Sequence, residues 1–285
     1  MGQSLAESLP AARRLFDRAH DVLGYDLASL CFEGPAEKLS STVHSQPALF
    51  VTSLAALEQV KQEQPELPST CAATAGLSLG EYTALVFAGA MDFETGLTIV
   101  KARGEAMQAA ADAAASGMVS ILGLEAEPLA SLCNAARVDG GTLHPANWLC
   151  PGNTAVSGDR ASCDQLIKLA PQHEAKAMPL DVAGAFHTRL MEPAVQPLRA
   201  ALNAASIRSP QIPVVSNVDA QNHEDPEEIR DLLVQQVVSP VLWHKSMEAL
   251  VSFGIGQFYE LGSGRVLRGL LRRIDRKLAC DNFSC

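Results

Sequence analysis

The sequence predicts an α/β protein in two parts: a main domain built on a parallel sheet, and a smaller βαββαβ unit inserted into it. Three observations carry that prediction. An apolar run at residues 70–75 feeds the tight turn Gly76-Leu77-Ser78-Leu79-Gly80, which opens a helix-like run; this strand–turn–helix is the geometry of a hydrolase-like sheet. Residues 113–182 then alternate short apolar runs with amphipathic segments in the order strand, helix, strand, strand, helix, strand, the ferredoxin-like arrangement. Beyond 183 the pattern returns to longer helices separated by short strand candidates. The expected division is 1–112 with 183–285 as the main domain and 113–182 as the insertion, each of ordinary domain size.

The elements follow in order. Residues 1–23 read as one helix, with Leu5, Leu9, Ala12, Phe16 and Ala19 at spacings of three and four. Gly34-Pro35 breaks the chain, and a long helix is expected over 48–64, after Gln46-Pro47. Residues 65–68 form a loop before the strand that enters the turn, and a helix is expected over 78–88. Asp92 caps the next helix, with Thr95 in the last slot of the capping pattern. Its apolar stripe is Gly96, Ile99, Val100, Gly104 and Met107, and Arg103 falls on the same stripe. The small residues of 109–117 suggest a hinge. The inserted unit carries strands at 118–123, 143–149, 154–157 and 176–182, and helices at 127–136 and 160–170; the turn Cys150-Pro151-Gly152-Asn153 joins the middle strands. A turn at 184–188 then leads to a helix over 189–205, a buried strand at 212–216, helices at 227–238 and 243–253, and a strand at 257–261. A final basic helix carries Leu267, Leu270, Leu271 and Ile274 on one face.

Composition narrows the class. The chain has 285 residues, 47% hydrophobic and 19% charged, enough for a large core. A net charge of −10 argues against nucleic acid as the main partner. No apolar run reaches the length of a membrane span, and the opening residues lack a signal-peptide pattern. Seven cysteines, odd in number and without a CxxC pair, suit a reducing cytoplasm rather than a disulfide framework. Seven histidines without metal spacing suggest no metal site.

The turn at 76–80 has the form of a nucleophile elbow, which exposes the Ser78 hydroxyl. A side chain at Gly76 or Gly80 is expected to crowd so tight a turn. The helix that follows aims unpaired N–H groups and a positive dipole end at the serine oxygen. A serine nucleophile needs a base within reach. His187, at a strand-to-helix turn just after the insertion, is the best placed; His144 and His244 stay open, and His20, His44, His173 and His223 lie in polar, surface-like contexts. Arg103 on an inward face needs an anion, supplied either by a protein carboxylate or by a ligand.

Together with these residues, the segments Gln46-Pro47-Ala48-Leu49, Gly76 through Leu85, Val100-Lys101-Ala102-Arg103-Gly104, Gly184 through Met191, Ser216-Asn217-Val218-Asp219 and Tyr259 through Gly264 resemble the malonyl-CoA:acyl-carrier-protein transacylases of fatty acid synthesis. The match is colinear and nearly end to end. The resemblance implies that Ser78 takes a malonyl group from coenzyme A as an ester and that His187 is base and then acid. It implies that Arg103 holds the malonyl carboxylate by a bidentate pair, and that the Gln236 backbone carbonyl orients His187. Asp181 and Asp219 are then structural rather than triad members. Asn147 and Asn217 match cleft-lining positions, with a turn or cap role equally open. Phe186, just before the histidine, goes with malonyl over bulkier acyl groups. The implied enzyme uses malonyl-CoA as substrate and no cofactor. It acts on an acidic acyl carrier protein and is expected to be a cytoplasmic monomer.

Two departures from the family pattern stand out. Leu77 replaces a common histidine, which alters the wall of the site. Family members also carry an apolar strand and a Pro-Gly-Gln-Gly-x-Gln segment before the point that matches Met1. The expectation is therefore a main domain without its first strand, and an oxyanion hole left mainly to the Leu79 N–H; one lost donor of this kind costs about a hundred- to a thousandfold in rate. A serine hydrolase or thioesterase of carboxylated acyl groups is the alternative, and a weakly active or non-catalytic carrier-binding relative is another. Arg103 discriminates against a plain esterase, which needs no carboxylate anchor. The cluster Arg265, Arg268, Arg272, Arg273, Arg276 and Lys277 is either a docking patch for acids or phosphates or a solvated helix face.

Overall fold

The computed structural model describes residues 1–285. The chain opens on two helices, α1 (Gln3–Ser8) and α2 (Pro10–Leu23), where a single one is expected. Pro10 lacks the N–H needed to continue α1 but suits the first position of a new helix. Helices α3 (Leu27–Glu33), α4 (Ala36–Ser40) and α5 (Thr42–Glu63) follow. α5 begins six residues before the expected start and carries Pro47 inside it; burial of Gln46, Pro47, Ala48, Phe50 and Val51 along this stretch outweighs the lost helical bond. A short helix α6 (Leu67–Thr70) occupies the expected loop and the start of the expected strand, so that β1 is only Thr74–Ala75. Next come α7 (Gly80–Phe87) and α8 (Phe93–Asp112). Asp92 caps α8 by accepting from the Thr95 N–H at 2.8 Å. The expected hinge is absorbed: its alanines continue α8 to Asp112, and the next strand starts at Ser116.

That strand, β2 (Ser116–Leu122), begins a four-stranded antiparallel sheet with β3 (Leu143–Cys150), β4 (Asn153–Asp159) and β5 (Lys176–Leu180), in the order β3-β4-β2-β5. Helices α9 (Ala126–Ala136) and α10 (Arg160–Leu169) cover one face. Alternation along β2 explains the layering. Val119 and Ile121 pack with Leu129, Leu132 and Leu166 of the helices, while Met118 points to the other face, with Ala146, Ala155 and Phe186.

The remaining elements are α11 (Glu192–Ala204), β6 (Val214–Val215), α12 (Pro226–Gln236), α13 (Trp243–Ser252), β7 (Gln257–Gly262), α14 (Val266–Ile274) and β8 (Ala279–Ser284). The parallel strands fall into two pairs: β1 with β6, in register Thr74↔Val214, and β7 with β8, joined through α14. β6 is shorter than the expected 212–216, because Ser216 turns away to pair with Gln221. β8 is a strand the sequence reading misses; its polar residues carry no alternation signal, and pairing with β7 creates it. The largest core packs α2, α5, α7, α8 and α11 around Phe16, Phe50, Leu97 and Leu198. No helix is long and apolar enough to cross a membrane.

Candidate active site

The site begins where β1 meets α7. Ser78 has φ 52°, the left-handed region that non-glycine residues rarely adopt. The turn is closed enough that a Cβ on Gly76 would overlap the backbone carbonyl of Gly80. Gly80 itself has open space where its own Cβ would stand, so the expected crowding holds at Gly76 and not at Gly80. A clamp from the loop after β6 holds the turn: the Asn217 Oδ1 accepts from the Ser78 N–H at 2.6 Å, and its Nδ2 donates to the Gly76 carbonyl at 2.8 Å. Asn217 is thus a fully buried brace of the elbow, set in the turn that follows β6. The Leu79 N–H, next to Ser78 at the start of α7, has no acceptor within the chain.

The candidate base sits opposite. His187 also has a positive φ, 61°, and is buried. Its Nε2 lies 2.8 Å from the Ser78 Oγ, and its Nδ1 lies 2.8 Å from the Gln236 carbonyl at the end of α12. A carbonyl only accepts, so the proton is assigned to Nδ1, leaving Nε2 free to accept from the serine. Burial, reinforced by the nearby Arg103 charge, pushes the imidazole down to about 4 against the pull of the Gln236 carbonyl. The ring is therefore neutral at neutral pH. No carboxylate takes part: Asp219 pairs with His223 at 2.9 Å, and Asp181 is exposed. His144 is held by Arg137 at 3.1 Å and His244 pairs with Glu248 at 3.4 Å, which removes both as bases for Ser78.

Arg103 reaches the same point from α8. It is 1% exposed, and its guanidinium is held by two amide oxygens and a hydroxyl rather than by a carboxylate. Nη1 donates to the Gln46 Oε1 at 2.6 Å; Nη2 donates to the Gln236 Oε1 at 2.9 Å and to the Ser78 Oγ at 3.0 Å. Nε has no partner, and the guanidinium lies over the Tyr82 ring at 5.3 Å. Burial draws its pKa down, but an arginine remains charged.

Sequence reasoning misses four contributors here: Gln46, Glu81, Tyr82 and the side chain of Gln236. Glu81 is 4% exposed, and its Oε2 accepts from the Gln236 Nε2 at 2.7 Å and the Asn217 N–H at 3.1 Å. Burial lifts its carboxyl to about 7, against the opposing effect of those two hydrogen bonds and of Arg103. The available signal was an acid inside an otherwise apolar helix start. Phe186 is half-buried against Met118, Ala146 and Ala155 of the antiparallel sheet. Asn147 lies on β3 where that strand bridges to Val241, and its buried Oδ1 has no partner. Leu77 packs among Val215, Val241 and Trp243.

Chemically, the arrangement pairs a hydroxyl with a neutral imidazole and places a guanidinium on the same oxygen, with the unpaired Leu79 N–H one residue further along the chain. Such a set can form an acyl–serine ester and stabilise negative charge during the attack.

Residues 1–262 match the family model described as acyl transferase domain. The chain is 42% identical over 281 residues to the malonyl CoA-acyl carrier protein transacylase of Bacillus subtilis, covering 98% of this chain and 87% of that protein. It is 43% identical over 289 residues to the mitochondrial malonyl-CoA-acyl carrier protein transacylase of Mus musculus, covering 97% of this chain and 76% of that protein. Among solved structures, an acyl carrier protein S-malonyltransferase from Vibrio cholerae superposes with a TM-score of 0.91 at 38% identity, over 98% of this chain and 90% of that one. A malonyl-transacylase solved in complex with its type II PKS acyl-carrier protein superposes with a TM-score of 0.93 at 36% identity, over 99% of this chain and 90% of that one. The chain belongs to the acyl transferase family that contains the malonyl-CoA–acyl carrier protein transacylases.

Proposed function

We propose that this chain transfers a malonyl group from coenzyme A to acyl carrier protein through a malonyl ester on Ser78. His187 Nε2 takes the Ser78 proton as Oγ attacks the thioester carbonyl. The Leu79 N–H faces the developing oxyanion. As the carbon–sulfur bond breaks, the coenzyme A thiolate leaves with the proton from His187. The thiol of the carrier protein then gives its proton to His187 and attacks the ester, and Ser78 recovers its proton. Arg103 anchors the malonyl carboxylate, with Nε, which has no partner, and Nη2, which touches the Ser78 Oγ, as the groups available to it. Phe186 limits the room beside the acyl α-carbon. Malonyl-CoA is substrate, and the proposed enzyme is a cytoplasmic monomer whose macromolecular partner is the carrier protein.

The single observation that carries this reading is the convergence of Ser78, His187 and a buried arginine without a carboxylate partner on one oxygen. The relatives' names supply the acyl group and the acceptor. Residues 1–112 with 183–285 are proposed as one domain and 113–182 as another; the core of the antiparallel sheet, drawn only from residues 119–175, supports that division.

Mass spectrometry after mixing with malonyl-CoA tests the function. A malonyl adduct on Ser78 that passes to added carrier protein is expected, and the Ser78→Ala chain should form none. Rapid release of free malonate with no transfer would make the protein a thioesterase instead, and absence of any adduct on the wild-type chain would overturn the reading.

A further inference from the structure

Three segments far apart in sequence meet at one oxygen, the Glu81 Oε2: α7 supplies the carboxylate, the loop after β6 supplies the Asn217 N–H, and α12 supplies the Gln236 Nε2. Each donor controls part of the site. Asn217 braces the elbow through the Ser78 N–H and the Gly76 carbonyl. Gln236 does more. Its Nε2 also donates to the Ser78 carbonyl at 3.0 Å, its Oε1 accepts from Arg103, and its backbone carbonyl accepts from the His187 Nδ1. One residue therefore touches nucleophile backbone, anion anchor and base together.

The Gln236 amide can hold Arg103 only while its oxygen points that way. The Glu81 carboxyl, the shorter contact at 2.7 Å, fixes this orientation together with the Ser78 carbonyl, because Nε2 must then face both. We propose that Glu81 is a positioning residue: by accepting from Gln236 and Asn217 at a single buried oxygen, it sets the alignment of His187 against Ser78 and of Arg103 against the acyl carboxylate. Nothing suggests that it touches the acyl group; it acts through its two partners. Removing the acceptor leaves the Asn217 N–H and one of the two Gln236 Nε2 hydrogens buried and unpaired, and both clamps loosen at once. The requirement is for an acceptor at this point, so glutamine, whose amide oxygen can take both bonds, meets it. Aspartate keeps the charge but withdraws the oxygen by one methylene.

The part concerning Arg103 rests on the malonyl-transfer reading; the part concerning Ser78 and His187 does not, and two readouts separate them. The first is the rate at which a fluorophosphonate probe labels Ser78. Glu81→Ala and Glu81→Asp are expected to label about a hundredfold more slowly, the size of effect that a misplacement near 1 Å produces, while Glu81→Gln labels near the wild-type rate. The second is the ratio of malonyl to acetyl ester formed from the two coenzyme A thioesters, which a simple loss of folded protein leaves unchanged. It is expected to fall in Glu81→Ala and Glu81→Asp, since only malonyl carries a carboxylate for Arg103 to hold. Should Glu81→Ala not fold, Glu81→Asp carries the test. Labelling of folded Glu81→Asp at the wild-type rate overturns the proposal, as does Glu81→Gln labelling as slowly as the aspartate variant. If labelling slows as expected but the wild-type chain forms no malonyl ester, Glu81 stands as a positioning residue and the malonyl reading falls.

Discussion

At Ser78 and His187 the backbone holds two facing non-glycine residues in left-handed conformations, at φ 52° and 61°. Such conformations are unfavourable and persist where the surroundings over-determine them; here Asn217 and the Gln236 carbonyl do so. The depressed His187 pKa has a kinetic consequence. The acid limb of the malonyl-CoA profile of kcat/KM should have its midpoint near 4 rather than at the ordinary 6.5, since only the neutral ring accepts the serine proton. It also has a consequence for stability. Between about 4 and 6.5 the unfolded chain binds the proton that folded His187 refuses, so this contribution is present above 6.5 and is lost as pH falls toward 4. Glu81 acts in the opposite sense: its raised pKa favours folding below 4.5 and that contribution is lost as pH rises through about 7. A denaturation series on His187→Gln should therefore show a stability deficit of wild type against variant that grows as the pH is lowered from 6.5 to 4. Arg103→Ala should slow malonyl ester formation about ten- to a hundredfold, the worth of hydrogen bonds to a charged group, while acetyl ester formation slows less. Arg103→Lys should also fail, because one ammonium cannot bridge Gln46, Gln236 and Ser78 as the planar fork does.

The elements show where pattern reading succeeds and where packing overrides it. The long helix α8 and the βαββαβ alternation were legible, since sustained periodicity is set by which residues face a core. The proline inside α5 and the two-residue strands β1 and β6 were not, because each depends on what the neighbouring element offers; the break at Pro10 lay in the proline itself, beneath an apolar spacing that runs across it. The elbow combines both. Its Gly-x-Ser-x-Gly pattern was visible, but only the folded turn separates the two glycines, since a Cβ meets the Gly80 carbonyl at position 76 and open space at position 80. Gly76→Ala should therefore slow probe labelling of Ser78 by at least about a hundredfold and lower the melting temperature. Gly80→Ala should keep its labelling rate and gain up to about 1 kcal/mol at the helix start.

Across the whole molecule, a net charge of −10 coexists with a basic end, where Arg265, Arg268, Arg272, Arg273, Arg276 and Lys277 are all exposed around α14. Gly269, Arg272, Arg273 and Arg276 line a concavity there of about 420 Å³. Local complementarity of this kind steers an acidic partner despite overall repulsion. The double reversal Arg272→Glu with Arg273→Glu should raise KM for carrier protein and remove its salt dependence, while leaving malonylation of Ser78 by malonyl-CoA unchanged; unchanged carrier kinetics would assign the patch to a solvated helix face. The sequence by itself determined the α/β class and the βαββαβ order through periodicity, and it offered Ser78 and Arg103 as candidates through turn chemistry and a charge misplaced on an apolar stripe; His187 was favoured by its place at a turn, with His144 and His244 left open until the family resemblance. Only the tertiary structure decided what surrounds them. The Asn217 brace, the threefold engagement of Gln236 and the buried Glu81 join residues 76, 78, 81, 103, 187, 217 and 236 through single hydrogen bonds. A hydrogen bond between distant segments leaves no period in the chain, and it exists only once burial has removed water as the competing partner.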